Sequence, residues 1–298
     1  MEFRELRSFV AVAEEGGLSA AARRTHESQP ALSQTIRALE RELGVQLLVR
    51  RNTGTQLTAP GRVLLSGARD LLARHDQAVT AVVGAATGVA SELRLGVPLE
   101  LPGDLLPHAL TQLRERLPAA RTQVRHLSSA GQLAGLRAGR IDVALMRERP
   151  PGREFDALLV VTERLGVLLA ESVAGEVAEP DGVRLEALGG LSWIVFPRAE
   201  SPAWYDQIVA VLHAHGVVVD EPQDTDESLI AEVKVAAVKT GRRFALAPAG
   251  LSQPLPEGVG WYPLVGAPLL RRTWAVWPAD TRRRDVGVFI ASLEPQER

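Results

Sequence analysis

Apolar positions in the first sixty residues recur at helical spacing. Phe3, Leu6, Phe9, Val10 and Val12-Ala13 mark one amphipathic helix, which Gly16-Gly17 stops. Ser19 precedes the Ala-rich run Ala20 to Arg24, predicting a short, tightly packed second helix. Thr25 to Gln29 is polar and reads as a turn. Ser28 is placed to cap a third helix, with Pro30 tolerated in its first turn. Leu32, Ile36 and Leu39 form the apolar face of that helix, and Ser33, Gln34 and Arg37 lie on the other side. The period then changes. Residues 47–51 and 56–58 read as two short strands around a turn at 52–55, a small β-wing. A long helix begins near Thr58. Along it Leu64, Ala68, Leu71, His75, Ala78 and Val82 keep near-heptad spacing, a seam that pairs with a second helix or packs on the chain's own core. The small residues Gly84 to Gly88 read as a linker.

Beyond residue 88 apolar strands alternate with helices. Leu93–Val97, Thr122–Leu127 and Ile141–Met146 read as strands, with helices at Leu105–Leu113 and Leu133–Ala138 between them. A second set follows: strands at Leu165–Ala170, Leu191–Phe196, Val217–Asp220 and Phe244–Ala247, with helices at Pro202–His215 and Ser228–Val238. Trp274–Trp277 and Val286–Leu293 supply a last strand and helix. This is a βαβ pattern, and it predicts a largely parallel sheet with helices on both faces. No tandem repeat occurs at a solenoid period.

At ~150 residues per domain, 298 residues make about two domains. With 46% hydrophobic and 23% charged residues, the chain can bury a sizeable core. It contains no cysteine, which excludes disulfides, thiolate metal sites and a Cys nucleophile. The charged N-terminus lacks the apolar stretch of a signal peptide. The mostly small and apolar run Ala78 to Ala90 is short of the ~20 residues a bilayer span needs. A soluble, cytoplasmic protein with no membrane partner is expected.

The net charge of −2 is unevenly spread. Residues 1–87 carry a net +2, residues 88–298 a net −4, and the segment 28–62 alone has five arginines against two glutamates. A local basic stripe on an acidic protein suffices for phosphate contact. Within it, Gln29, Ser33, Gln34 and Arg37 sit where a recognition helix of a helix-turn-helix presents side chains to base edges. Arg50, Arg51 and Thr53 on the wing are placed to hold phosphates. Pro30 and Thr58 complete the candidate DNA-contacting set, and an ordinary solvated helix face is the alternative.

Ligands of open α/β sheets sit beyond the carboxyl ends of strands. Pro98, Leu99, Glu100, Ser128, Ser129 and Arg147 occupy such positions in the first set of strands. Ser129 precedes the helix Gly131–Ala138, whose N-terminus favours an anion, and Arg147 is suited to grip a carboxylate. Phe196, Pro197 and Arg198 end a later strand, and Thr225 precedes a later helix. The plainer readings are an ion pair of Arg147 with Glu148 or Glu163, capping by Ser129 and Thr225, and solvent exposure of Arg198. Glu100 either repels an acidic ligand or accepts a hydrogen bond from an amine or hydroxyl. The six histidines are scattered, and no HExxH, GxGxxG, Walker A or GxSxG motif occurs. No catalytic residue, metal ligand or cofactor is assigned.

Taken together, Leu6 to Glu14, Ala20-Ala21-Ala22, Ser28 to Ser33, Ile36 to Glu40, Leu43-Gly44-Val45 and Leu57 to Gly61 resemble the N-terminal domain of LysR-type transcriptional regulators. The match is dense over residues 3–65. It continues more loosely through Leu93 to Gly96, Leu106-Pro107, Gly139 to Leu145 and Leu246-Ala247-Pro248. The resemblance implies an α/β chain in three parts. The first is a winged helix-turn-helix, mainly α, over 1–60. A linker and dimerisation helix follows at 61–88. An effector-binding domain similar to periplasmic solute-binding proteins covers 89–298, with lobe one at about 91–161 and 267–298 and lobe two at about 162–266. It also implies a homodimer or homotetramer that binds promoter DNA, responds to a small-molecule effector in the interlobe cleft and meets RNA polymerase. Ser129, Arg147 and Phe196-Pro197 stand where the aromatic-catabolism branch of that family binds aromatic acids, and Glu100 stands where that branch often has a small hydroxyl residue. Thr25 and Glu27 replace apolar turn residues, and Val238 to Arg243 replaces a Gly-rich stretch. A regulator with a non-acid effector or none is the alternative. A secreted solute-binding protein is the remote one, opposed by the DNA-binding match and the missing leader.

Overall fold

The computed structural model describes residues 1–51, 54–87, 92–219, 230–250, 254–293 and 296–297; for 50, 51, 54, 77, 80, 81, 83–87 and 296–297 it describes the backbone alone. The chain divides into two compact units, Met1–Val89 with Arg137–Arg140, and Ala90–Leu136 with Ile141–Arg298.

The first unit is built from three short helices, a hairpin and a long helix. Helix α1 (Phe3–Glu15) starts on a reciprocal cap between Glu2 and Glu5 and stops at Gly16, whose φ of 65° suits glycine. Helix α2 (Leu18–Thr25) ends at His26 in the left-handed region, and α3 (Gln29–Leu43) opens with the Ser28 hydroxyl accepting the Ala31 N–H. Phe9, Val12, Ala21, Leu32, Ile36, Leu39 and Leu47 close a common core, each large side chain contributing ~1.5–3 kcal/mol on burial. Strands β1 (Leu48–Arg51) and β2 (Gly54–Leu57) pair antiparallel as the wing. Helix α4 (Ala59–Thr87) runs on through the small residues expected to form a linker. The seam divides: Leu64 and Ala68 pack on Leu6 and Val10 of α1, whereas Leu71, Ala78 and Val82 are exposed and the His75 ring lies 4.9 Å from that of Phe3. The first two positions are therefore taken by the chain's own core.

The second unit contains strands β3 (Glu92–Val97), β4 (Arg121–His126), β5 (Val143–Met146), β6 (Phe155–Ala170), the short pair β7 (Ala178–Glu179) and β8 (Gly182–Val183), β9 (Ser192–Trp193), β10 (Arg243–Pro248), β11 (Val259–Pro263), β12 (Leu270–Pro278) and β13 (Gln296–Glu297). Helices α5 (Leu105–Arg116), α6 (Ser129–Arg137), α7 (Glu171–Val177), α8 (Pro202–Ala214), α9 (Ala231–Lys239) and α10 (Arg284–Ala291) cover them.

The main sheet runs β4-β3-β5-β12-β6-β10-β9, with β11 and β13 also on β6. It is mixed, not largely parallel. β3 is parallel to β4 and β5, but β12 is antiparallel to both β5 and β6, and β10 is antiparallel to β6. The reason is β6. Its 16 residues pair with β12 up to Arg164 and with β10 and β11 from Leu165 onward, so one strand serves two lobes. The polar residues Thr162, Glu163 and Arg164 interrupt its apolar run near the point where its partners change.

Leu93, Leu95, Leu113, Val143, Leu145, Val160 and Phe289 form one lobe's core; Leu165, Val167, Leu169, Trp204, Ile208, Leu212 and Phe244 form the other's. The strand expected at Leu191–Phe196 shortens to β9 with one further bond, Ile194 N–H to the Phe244 carbonyl at 2.8 Å. Val217 to Val219 form no strand, and Asp220, Thr225 and Ser228 lie outside the described residues. No described helix is long and apolar enough to cross a membrane.

Candidate functional site

In the first unit the buried face of α3 fixes where its other face points. Leu32, Ile36 and Leu39 are buried; Gln29, Pro30, Gln34 and Arg37 are exposed and Ser33 is half-buried. Positions 29, 33 and 37, and 30 and 34, fall four apart and line one stripe. The Gln29 Oε1 accepts the Ser19 hydroxyl at 3.0 Å, which orients it from α2. Glu40, unremarked in the sequence, accepts the N–H groups of Leu47 and Leu48 at 2.9 and 3.1 Å and ties the wing to α3. Thr58 has a structural role at the base of the wing. Its hydroxyl donates to the Gln46 carbonyl at 2.7 Å and accepts the Gly61 N–H at 3.0 Å, so it caps α4 and holds the wing's base. Gly61 is required there, since a Cβ would stand 2.1 Å from the Leu47 carbonyl oxygen. Glu27 in the turn is matched by Arg4, whose Nε and Nη2 reach it at 3.2 and 3.1 Å. Arg50 and Arg51 sit on β1 with side chains outside the described set, and Thr53 lies outside it altogether.

The second unit holds a cavity of about 130 Å³, close to the ~150 Å³ that admits benzene in a protein interior. Pro98, Leu99, Glu100, Ser128, Ser129, Arg147 and Phe196, all expected from the sequence, line it. Pro197 and Arg198 do not. Arg198 pairs instead with Asp206 through two 2.7 Å bonds on the exposed surface. Capping of α6 falls to Ser128, whose hydroxyl accepts the Gly131 N–H at 3.1 Å. Ser129 is the first residue of α6, 3% exposed, and its hydroxyl has no protein partner; the same holds for Ser201 at the start of α8 in the other lobe. Trp193, Trp204, Ile208 and Leu246 supply apolar wall that the sequence did not single out. The α8 N-terminus already holds an anion: Glu148 accepts the Trp204 N–H at 3.1 Å. Burial pushes the Glu148 carboxyl up, against the pull of the Trp204 and Ala203 N–H groups.

Behind these walls lies a charged cluster. Arg147 donates to Thr273 Oγ1 at 2.6 Å and to the carbonyls of Leu99 and Glu100 at 2.6 and 2.9 Å. Arg271 donates to Glu163 at 3.0 Å, to the Glu100 carboxylate at 2.9 Å and to the Glu100 carbonyl at 3.0 Å. Lys234 of α9 forms an ion pair with the other Glu100 oxygen. Two guanidiniums thus hold Glu100 at φ 58°, a left-handed conformation that costs a non-glycine residue ~1–3 kcal/mol.

The Arg147 guanidinium is pinned as a support for the 99–100 loop, with Glu163 3.9 Å away, so it does not reach freely into the cavity. Its pKa falls to about 9 through burial, reinforced by the Arg271 charge and opposed by Glu163 and Glu100, which still leaves it charged at neutral pH. For Glu100, burial raises the pKa, but Lys234 and Arg271 outweigh it and hold the carboxyl below its ordinary range. Glu100 is therefore neither a bare repellent nor a free acceptor. The described residues contain no cluster of three or more His, Asp or Glu able to hold a metal ion.

Residues 3–62 match the family described as bacterial regulatory helix-turn-helix protein, lysR family, and residues 86–297 match the LysR substrate binding domain. The chain is 37% identical to the HTH-type transcriptional regulator ClcR of Pseudomonas putida over 211 residues, 71% of each protein. It is 34% identical to the HTH-type transcriptional regulator TfdS of Cupriavidus pinatubonensis over 257 residues, 85% of this chain and 84% of TfdS. Among solved structures, the LysR family transcriptional regulator CbnR superposes with a TM-score of 0.71 at 25% identity, covering 98% of both chains. CbnR complexed with its target DNA gives 0.70 at 26%, covering 98% of this chain and 99% of CbnR.

Proposed function

The chain belongs to the LysR family of transcriptional regulators, and from that premise we propose that a small organic acid entering the interlobe cavity controls its action at a promoter. The helix-turn-helix is its DNA-binding part and the second unit its effector-binding part. In this reading Gln29, Ser33, Gln34 and Arg37 meet base edges in the major groove while Pro30 sets the helix entry. Arg50, Arg51 and Thr53 hold phosphates on the wing. Leu71, His75, Ala78 and Val82 join two chains through α4, giving the dimer, and a tetramer by further contacts, that spans two half-sites. RNA polymerase is the downstream partner and the cytoplasm the place of action. The ligand is bound and released unchanged.

One observation carries the effector reading: two buried serine hydroxyls without a protein partner, Ser129 and Ser201, face a ring-sized cavity from opposite lobes. Leaving such groups unpaired costs ~1–3 kcal/mol each, which a ligand with polar atoms at both walls recovers. The N–H groups at the start of α6 favour a negative end. The test is thermal shift of the second unit's melting with benzoate as probe, beside footprinting on promoter DNA. Benzoate at 100 times its dissociation constant should add ~2.7 kcal/mol, less in Ser129→Ala, and should alter the footprint. Stabilisation that Ser129→Ala and Ser201→Ala leave untouched would place the ligand elsewhere.

A further inference from the structure

Among the buried charges that pair with one another beside the cavity, cations outnumber carboxylates. Arg147, Arg271 and Lys234 bring three cationic groups; Glu100 and Glu163 bring two carboxylates. All five side chains are between 6% and 17% exposed. The buried cluster is therefore one negative charge short. In that poorly solvated setting an incoming anion completes it, whereas a second negative charge is left without a cation. The position where a second ligand carboxylate would find its partners, between Lys234 and Arg271, is already filled by Glu100. The volume admits about one ring.

We propose that the cavity selects a ring-sized monoanion over a dianion, and that Glu100 sets this preference by serving as a built-in second carboxylate. Two features of Glu100 support that role. Its backbone is held in the left-handed region by two arginines, so its carboxylate is fixed in place. It also joins the lobes, since Lys234 belongs to α9 and Glu100 to the loop after β3. A monoanion leaves this interlobe pair intact, whereas a dianion has to compete with it. The proposal rests on the reading of the cavity as the effector site.

Calorimetric titration of the full chain tests it with two isosteric pairs: benzoate against benzamide, and phthalate (two charges) against phthalamate (one charge). Each pair holds size nearly constant and replaces one carboxylate by a neutral carboxamide. The wild-type protein should favour benzoate over benzamide, and phthalamate over phthalate, by about tenfold or more. Glu100→Gln should remove or reverse the second preference, because the cluster is then two charges short. Lys234→Met balances the cluster without a ligand and should bring benzoate down to benzamide; it also serves should Glu100→Gln fail to fold. Equal wild-type binding of phthalate and phthalamate, or ratios unchanged in both variants, would overturn the role of Glu100 while leaving the effector site standing. No binding of any probe to any of the three proteins would overturn the effector reading itself, and this proposal with it.

Discussion

The exposed stripe of α3 proposed to meet DNA and the cavity of the second unit proposed to take the ligand are opposites in construction. The stripe is contiguous in sequence, exposed, and positioned by one apolar face of a single helix. The cavity draws Glu100, Ser129, Arg147, Ser201, Lys234 and Arg271 from six separate stretches, and the charges around it are buried in mutual pairs. A surface that reads DNA needs only correct presentation, because water satisfies it until the partner arrives. A cavity that reads a small molecule must satisfy its own polar groups beforehand, leaving unpaired only those the ligand will meet. That predicts different sensitivities for the two regions.

The largest effect is expected at Arg271. Replacing it with alanine leaves Glu163 and part of Glu100 buried without their partner, which should cost ~3–5 kcal/mol of the second unit's stability. Calorimetry should show that unit's transition fall while promoter affinity of the first unit holds. A common loss would mean that the two units melt together. Leu39→Ala is the mirror image. It should cost the first unit ~2–5 kcal/mol and abolish footprinting while benzoate binding survives. Arg37→Ala should leave stability unchanged and weaken operator binding by ~1–3 kcal/mol if it meets a base; an equal loss on random DNA would assign it to a phosphate.

The smallest effect is one of pH. The lowered pKa of Glu100 contributes stability that is complete above its ordinary value of 4.5 and is lost as pH falls through its folded value. The stability gap between wild type and Glu100→Gln should therefore narrow on acidification below 4.5. Glu148, with a raised pKa, acts with the opposite sign, its contribution complete below 4.5 and lost as pH rises through the folded value. A gap that widened on acidification would put the carboxylate outside the Lys234–Arg271 pairing.

The same contrast decides what could be read without coordinates. The helix stop at Gly16, the cap at Ser28 and the faces of α3 follow from spacing within a few residues, because local sequence determines them. The role of Glu40 is not legible in the sequence, because its partners are backbone N–H groups in the next element, which no side-chain pattern reveals. The position of Arg147 after a strand points to the cavity it lines, but its hydrogen bonds to Leu99, Glu100 and Thr273 make it a support for the 99–100 loop. Nothing local marks Lys234 and Arg271, since their importance comes from a glutamate more than a hundred residues away. Arg198 carried the same chemistry as Arg147, and only the tertiary fold sends it outward to Asp206.

Strand β6 has a mechanical consequence. Sixteen residues at ~3.3 Å each make a rod of about 50 Å, and it belongs to both lobes at once. Neither lobe can swing about a slack tether. Any rotation between them has to wind the rod where its partners change, at Arg164 and Leu165, one residue from Glu163. Opening the cavity thus loads a torsion spring whose anchor is the charged cluster, and the tightness of that cluster sets how stiffly the two lobes resist being turned.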